Sequence, residues 1–382
     1  MRFLTLFSIF LIASANIFDV QAGVGTNLPS LSFKRIRRVK ATTGGSRKLR
    51  PRNQSGLIDL KDFIYITTLT IGTPPGIFLC QIDTGSSDLW VPDSSCVGLG
   101  CSNKNAFSSQ YSISYGGDGV PWNISYVDQS AASGVTATDT VIVGGFVLKS
   151  QQFARATSMN QGFQSQPSDG IIGLGGPQDA AVPGTVTPVQ NMKNQGYITT
   201  RSFGVWLGKS TDGGSGEITF GGFDPAHFVG NLTSIPLFRS FDSTGIWVVL
   251  MSKVSVGSQD ITLTQANGLT VLDTGTSVIL APTILAGQIN TALGGTFSSQ
   301  AQAYTIPCNQ SPPDMTFTFG TAAFTIPGTD LVVKQGGTCV SAIIPGDIGG
   351  GLSFLLGDTF LKNNYAYFDM DGSTIGLAQA KR

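Results

Sequence analysis

At 382 residues the chain is too long for one ordinary hydrophobic core, so two lobes or domains are expected. Only 12% of the residues are charged, 49 are glycine, and long Ala/Glu/Lys/Leu-rich windows are missing; this argues against a mainly helical protein and for a mostly β one. A net charge of zero hides a segregation. Nine basic and no acidic residues lie between Gly23 and Asn53, whereas the chain from Gln54 onward carries 13 basic and 22 acidic residues, a net of −9.

In chain order, residues 1–22 come first: Arg2, a short apolar core, then Val20 and Ala22 at small-residue cleavage spacing. This reads as a secretory signal peptide, too short for a comfortable transmembrane helix. Residues 23–56 form the basic segment, with Arg37-Arg38 and the cluster up to Arg52 as processing sites. A basic run can be a nucleic-acid-binding tail. Behind a signal peptide and ahead of an acidic body, it reads instead as a detachable pro-segment that pairs with an acidic cleft. No later stretch reaches membrane-spanning length, and the C-terminus "IGLAQAKR" has no lipid-anchor tail. An exported monomer with no membrane anchor and no nucleic-acid partner is expected.

The body begins with "FIYITTLTIGTPP", a strand closed by a Gly/Pro turn, and continues as short strands punctuated by Gly, Asn, Asp and Pro. Helical pattern is confined to "VTPVQNMKNQG" and "APTILAGQINTALGG", each ending at Gly. Five cysteines in an exported chain imply two disulfides and one free thiol. Cys96 and Cys101 can close a small loop, Cys308 and Cys339 share the C-terminal region, and Cys80 sits in an apolar run; spacing alone leaves the pairings open. Sequons occur at Asn53, Asn123, Asn231 and Asn309.

An internal repeat organises the body. "LCQIDTGSSDLWVP" around Asp83 matches "TVLDTGTSVILAP" around Asp273, 190 residues later. Each copy has a downstream apolar-apolar-Gly partner: "DGIIGLG", whose Gly173 lies 90 residues on, and "LSFLLGDTF", whose Gly357 lies 84 residues on. One Asp-Thr-Gly is an ordinary turn after a strand. Two copies, each with the same companions, point to two lobes of one plan: residues 57–240 carrying Asp83 and residues 241–382 carrying Asp273.

On these motifs the chain resembles pepsin-type aspartic endopeptidase zymogens of the fungal secreted kind, from about Asp59 to Gln379. The resemblance implies a bilobal, mostly β fold with the cleft between the lobes. It also implies extended peptide or protein substrates, inhibition by pepstatin-like compounds, the chain's own pro-segment as a partner, and no cofactor or metal. Asp83 and Asp273 would be the catalytic pair, sharing one proton because two close carboxylates do not both ionise cheaply. Thr84 and Thr274 would tie the two loops together, Ser86 and Thr276 would donate to the outer carboxylate oxygens, and Gly85 and Gly275 would let substrate approach. Thr276, Val127 and Asp128 would border the substrate.

The family also has a hairpin flap with a tyrosine, and two tyrosines compete for that place. "YSISYGGDG" contains the Gly-Asp-Gly letters of a family flap, yet Tyr115 lies only 32 residues after Asp83. Tyr126 in "WNISYVDQS" lies 43 after it, and its strand runs through a turn into a second strand. Tyr126 is therefore expected to be the flap tyrosine, with Trp90 bonded to its hydroxyl, and Tyr115 a packing residue. Val127 and Gln129 replace two glycines of the common flap turn, which predicts a stiffer flap and a narrower substrate range. Asp128 matches an acidic flap position that favours lysine before the scissile bond in some relatives. A single histidine, His227, disfavours a Ser-His-Asp hydrolase or a zinc enzyme. A non-catalytic secreted binding or inhibitor protein on the same fold is the alternative.

Overall fold

The computed structural model of the protein describes residues 54–382, apart from Asp118, Val127, Asp242, Gln300, Gln302 and Gly336. The signal peptide, the basic segment up to Asn53, the Asn53 sequon and the flap position Val127 lie outside the described residues. The fold is mostly β, as expected. Helix is confined to short pieces; the two expected segments form Pro188–Asn194 and Thr283–Ala292. No helix among the described residues is long and apolar enough to cross a membrane.

The first half supplies β1 (Gln54–Asp59), β2 (Tyr65–Ile71), β3 (Gly76–Asp83), β4 (Leu89–Val97), β5 (Pro121–Ser125), β6 (Ala131–Val143), β7 (Phe146–Met159) and β8 (Gly170–Gly173). Then follow β9 (Ser202–Leu207), β10 (Ser215–Phe220) and β11 (Phe228–Pro236). They join a 13-stranded sheet that also takes in the last two strands of the chain, Asn364–Asp369 and Thr374–Ala380. The C-terminal strands thus return to pair with β9 and β11, and the two lobes share one continuous sheet. Strand β1 begins at Gln54, which pairs with Thr219 of β10.

The repeat appears as a repeated topology. In the first lobe β8 inserts between β3, to which it is parallel, and β4, to which it is antiparallel. In the second lobe Phe354–Leu356 inserts in the same way between Leu269–Leu272 and Ile279–Ala281. Every residue of both inserted strands is buried, so each is covered on both faces and reads as an unbroken apolar run rather than an alternation. Ile82, Ile172, Leu272, Leu355 and Leu356 are all essentially inaccessible to solvent. The glycine ending each insertion is sterically required. A Cβ on Gly173 would lie 2.4 Å from the Ser87 carbonyl carbon, and one on Gly357 would lie 2.1 Å from the Thr276 oxygen. These strands therefore run directly against the backbone of the two Asp-Thr-Gly loops.

Cys96 bonds to Cys101 and Cys308 to Cys339, while Cys80 is free and fully buried among apolar neighbours. Asn123, Asn231 and Asn309 are exposed.

Candidate active site

Strand β3 ends at Asp83 and its counterpart Leu269–Leu272 stops one residue before Asp273, so the shared topology delivers the two aspartates to the same place from two sides. The loops around them are mirror images in their hydrogen bonding. The Gly85 amide donates to Asp83 Oδ1 at 2.8 Å, and the Gly275 amide to Asp273 Oδ1 at 2.8 Å. The Ser86 hydroxyl donates to Asp83 Oδ2, and the Thr276 hydroxyl to Asp273 Oδ2 at 2.7 Å. Four donors from two loops fix the planes of both carboxyls.

Thr84 and Thr274 lock the loops to each other. Each backbone amide donates to the other residue's hydroxyl, at 3.1 and 3.0 Å. Each hydroxyl then donates across the interface, Thr84 to the Leu272 carbonyl at 2.9 Å and Thr274 to the Ile82 carbonyl at 3.1 Å. The bracing partners lie behind them: the Leu174 amide donates to the Asp83 carbonyl at 2.7 Å, and the Asp273 amide to the Leu356 carbonyl at 3.0 Å.

Both carboxyls are fully buried, and they lie within hydrogen-bonding reach of one another. Burial pushes Asp83 well above the usual carboxylate range, and the neighbouring Asp273 pushes it further. Burial also raises Asp273, but the Thr276 hydroxyl and then Asp83 favour its charged form. The site therefore holds a proton between two acids, and its titration belongs to the pair.

Tyr126 closes the site from the β5–β6 hairpin. Burial, then the Asp83 charge, push its phenol well above the usual range, so it stays a neutral O–H. Trp90 donates its indole N–H to the Tyr126 oxygen at 2.9 Å. Phe163 packs edge-on against both rings, 5.9 Å from Tyr126 and 5.1 Å from Trp90. The alternation expected of β5 is present: Trp122, Ile124 and Tyr126 are buried, Asn123 and Ser125 exposed. Tyr115 lies elsewhere, 6.0 Å from Phe107 and beneath the Arg155 guanidinium at 5.2 Å, as a packing residue.

Asp128 does not stand free at the hairpin turn. Its Oδ1 accepts the Ser130 amide at 2.8 Å, and burial raises its pKa. Gln129, expected to stiffen the turn, adopts a left-handed φ of +67°, a conformation that glycine adopts freely and glutamine does not.

Several residues of the site were not singled out from the sequence. Gln81 is buried and donates from its side-chain amide to the Gly275 carbonyl at 3.1 Å, a third tie between the loops. Asp358 follows Gly357 and is fully buried; neither carboxylate oxygen has a hydrogen-bond partner among the described residues. Burial and the nearby charge of Asp273 push it well above its usual range. Its counterpart after Gly173 is Leu174, so comparing the two repeats would have singled it out. Asp88 accepts from the Trp122 indole and the Ala181 amide, both at 3.0 Å.

His227 lies at the β10–β11 corner, stacked on Trp206 with ring centroids 4.2 Å apart and 3.3 Å from Glu217. Glu217, Asp224 and His227 are close enough to hold an ion together. Both Asp224 oxygens, however, already accept hydrogen bonds, from Gln54 Nε2 at 2.9 Å and the Ala226 amide at 2.8 Å. The trio reads as a hydrogen-bonded corner that fastens β1, and it takes no part in the carboxyl pair.

A model of the eukaryotic aspartyl protease family matches residues 64–380. Rhizopuspepsin-3 of Rhizopus niveus is 37% identical over 319 residues, covering 83% of this chain and 79% of that protein. Rhizopuspepsin of Rhizopus chinensis is 34% identical over 89% of this chain and 85% of its own length. A probable vacuolar protease A of Arthroderma benhamiae is 38% identical over 83% of this chain and 78% of its own. With a bilobal fold and a family match over nearly all of its described residues, the chain belongs to the eukaryotic aspartyl proteases, peptide hydrolases of the pepsin type.

Proposed function

We propose that the protein is an acid endopeptidase whose Asp83/Asp273 pair activates a water molecule against the peptide carbonyl. The reading rests above all on the two buried carboxyls within hydrogen-bonding reach, each oriented by its own glycine amide and hydroxyl. In the singly protonated pair, the ionised carboxylate takes a proton from water as the water oxygen bonds to the carbonyl carbon. The protonated carboxyl gives its proton to the carbonyl oxygen, forming a neutral gem-diol. The amide nitrogen then takes a proton from the protonated carboxyl while a gem-diol hydroxyl gives one back to the other carboxylate; the C–N bond breaks, a carboxylic acid and an amine leave, and the pair is again singly protonated. No covalent enzyme intermediate is required.

Substrate would lie extended across the cleft between the carboxyls and the β5–β6 hairpin, bordered by Gly85, Gly275, Thr276, Val127 and Asp128, with Tyr126 covering it. The basic segment 23–56 would hold the cleft closed until removed, its nine positive charges facing a body of net −9. With the signal-like N-terminus, this makes the chain an exported zymogen, bound for the cell exterior or an acidic vacuole. One relative, named a probable vacuolar protease A, supports the second destination.

The test is incubation of the purified chain at about pH 3–4 with a denatured protein substrate, with and without pepstatin. Self-cleavage near residues 50–60 and pepstatin-sensitive proteolysis are expected. Asp83→Asn and Asp273→Asn should each abolish cleavage without unfolding. A folded, processed protein that stays inactive throughout the acid range would refute the reading.

A further inference from the structure

We infer that Asn160 is a positioning residue that latches the β5–β6 hairpin in its closed pose over the carboxyl pair. The inference rests on the hairpin's proposed role as the flap. Asn160 follows the last residue of β7 and grips the hairpin with both its backbone and its side chain. Its amide N–H donates to the Ala131 carbonyl at 3.0 Å, extending the β6–β7 pairing by one residue. Its side-chain Nδ2 donates to the Gln129 carbonyl at 2.7 Å. Its Oδ1 accepts the Ala131 amide at 3.1 Å and the Gly162 amide at 3.1 Å.

One carboxamide thus joins two segments. On one side are Gln129 and Ala131, the returning arm of the hairpin. On the other is the short turn Gln161–Phe163, which Asn160 caps. That turn carries Phe163, packed edge-on against both Tyr126 and Trp90. It also touches the hairpin directly, since a Cβ on Gly162 would lie 2.6 Å from the Ser130 Cβ. Lifting the hairpin would pull Tyr126 from Phe163 and separate Gln129 and Ala131 from Asn160 in one movement.

The left-handed φ of Gln129 belongs to the same device. Asn160 Nδ2 holds the carbonyl of the residue that departs from the ordinary backbone regions. Asn160 is itself exposed. Water can replace its hydrogen bonds as they break, so the latch biases the hairpin toward closure without locking it.

The chemistry of the carboxamide supplies the test. Asn160→Asp keeps the acceptor for Ala131 and Gly162 but donates to Gln129 only while protonated, below about pH 4. A residue that merely caps the turn tolerates this change at every pH, because aspartate caps as well as asparagine. The latch predicts a variant-to-wild-type KM ratio near one at pH 3, rising about fivefold by pH 5.5, as for one lost hydrogen bond. Asp128, the carboxylate of the same turn, is present in both proteins and cancels in the ratio. Asn160→Ala should raise KM at both pH values with kcat little changed. Asn160→Ala removes the acceptor of the Ala131 amide and should speed its hydrogen exchange at both pH values; Asn160→Asp keeps that acceptor, and should speed exchange there only at the higher pH, as the hairpin lifts. Wild-type KM and wild-type exchange in both variants would overturn the inference. If the catalytic reading itself fails, no peptide is cleaved, and the exchange measurement still decides the latch.

Discussion

Thr84 and Thr274 are each other's mirror image: each backbone amide donates to the other's hydroxyl, and each hydroxyl donates onward to a carbonyl in the opposite lobe. Both are buried. Removing one hydroxyl leaves a backbone N–H and a C=O without partners where water does not reach. Thr84→Val, which keeps the shape, should therefore cost roughly 2–4 kcal/mol, whereas Thr84→Ser should cost about 1 kcal/mol or less. The double variant Thr84→Val/Thr274→Val should lose less than the sum of the singles, because the two hydroxyls brace the same pair of loops and losing one already loosens the bonds made by the other. Denaturant unfolding of the four proteins measures this; strict additivity would mean that the two threonines act independently.

The Tyr126 hydroxyl is held by the Trp90 indole. Tyr126→Phe keeps the ring against Phe163 and removes the acceptor of the Trp90 N–H. One buried hydrogen bond lost should lower kcat/KM about five- to tenfold. Trp90→Phe should produce a similar loss, and adding it to Tyr126→Phe should cost little more in kcat/KM. Tyr115→Phe should leave kinetics unchanged, because Tyr115 packs on Phe107 away from the pair. A larger kinetic effect at Tyr115 than at Tyr126 would reverse the assignment of the flap.

The choice between these tyrosines was legible because strand order and distance from Asp83 constrain the hairpin more than its turn letters do. The dyad was legible because it is written twice. Gln81 was not, since its partner Gly275 lies 194 residues away and no local pattern announces such a contact. Asn160 was hidden for the same reason: an asparagine after a strand reads as a turn residue until its amide is seen to bridge two loops. The return of the last two strands into the first lobe's sheet was equally silent, because strand patterning records burial and not the neighbour.

The buried carboxyls make stability depend on pH with a definite sign. Burial raises Asp83, Asp88, Asp179 and Asp358 above the usual carboxylate range, and raises Asp59 to about 7. A carboxyl raised on folding binds its proton more tightly in the native state. Its contribution is fully present below about pH 4 and is lost as pH rises through the raised value. Asp371 runs the other way: burial raises it, but bonds from Lys193 and Arg201 outweigh that and bring it to about 2, so its smaller contribution fades below about pH 4. The melting temperature should therefore peak in the acid range and fall toward neutrality. Asp358→Leu, which copies Leu174 of the other repeat, should flatten that fall by removing one buried proton site. A melting temperature rising steadily from pH 4 to pH 7 in the wild type would contradict this account.

The hairpin turn lacks the glycines of the common flap turn. Gln129 adopts a φ of +67°, a strain of roughly 1 kcal/mol for a residue with a Cβ. Gln129→Gly relieves that strain but adds about 0.5–1 kcal/mol of unfolded-state entropy, so the two nearly cancel in stability. They do not cancel in motion: glycine opens backbone conformations that glutamine lacks, while the carbonyl held by Asn160 remains. Gln129→Gly should therefore melt within a few degrees of wild type, yet cleave a broader range of sequences in a mixed peptide library. Adding Val127→Gly should broaden it further. If the cleavage profile stays unchanged while the Ala131 amide exchanges faster, turn stiffness does not set the substrate range, and specificity must come from the subsites themselves.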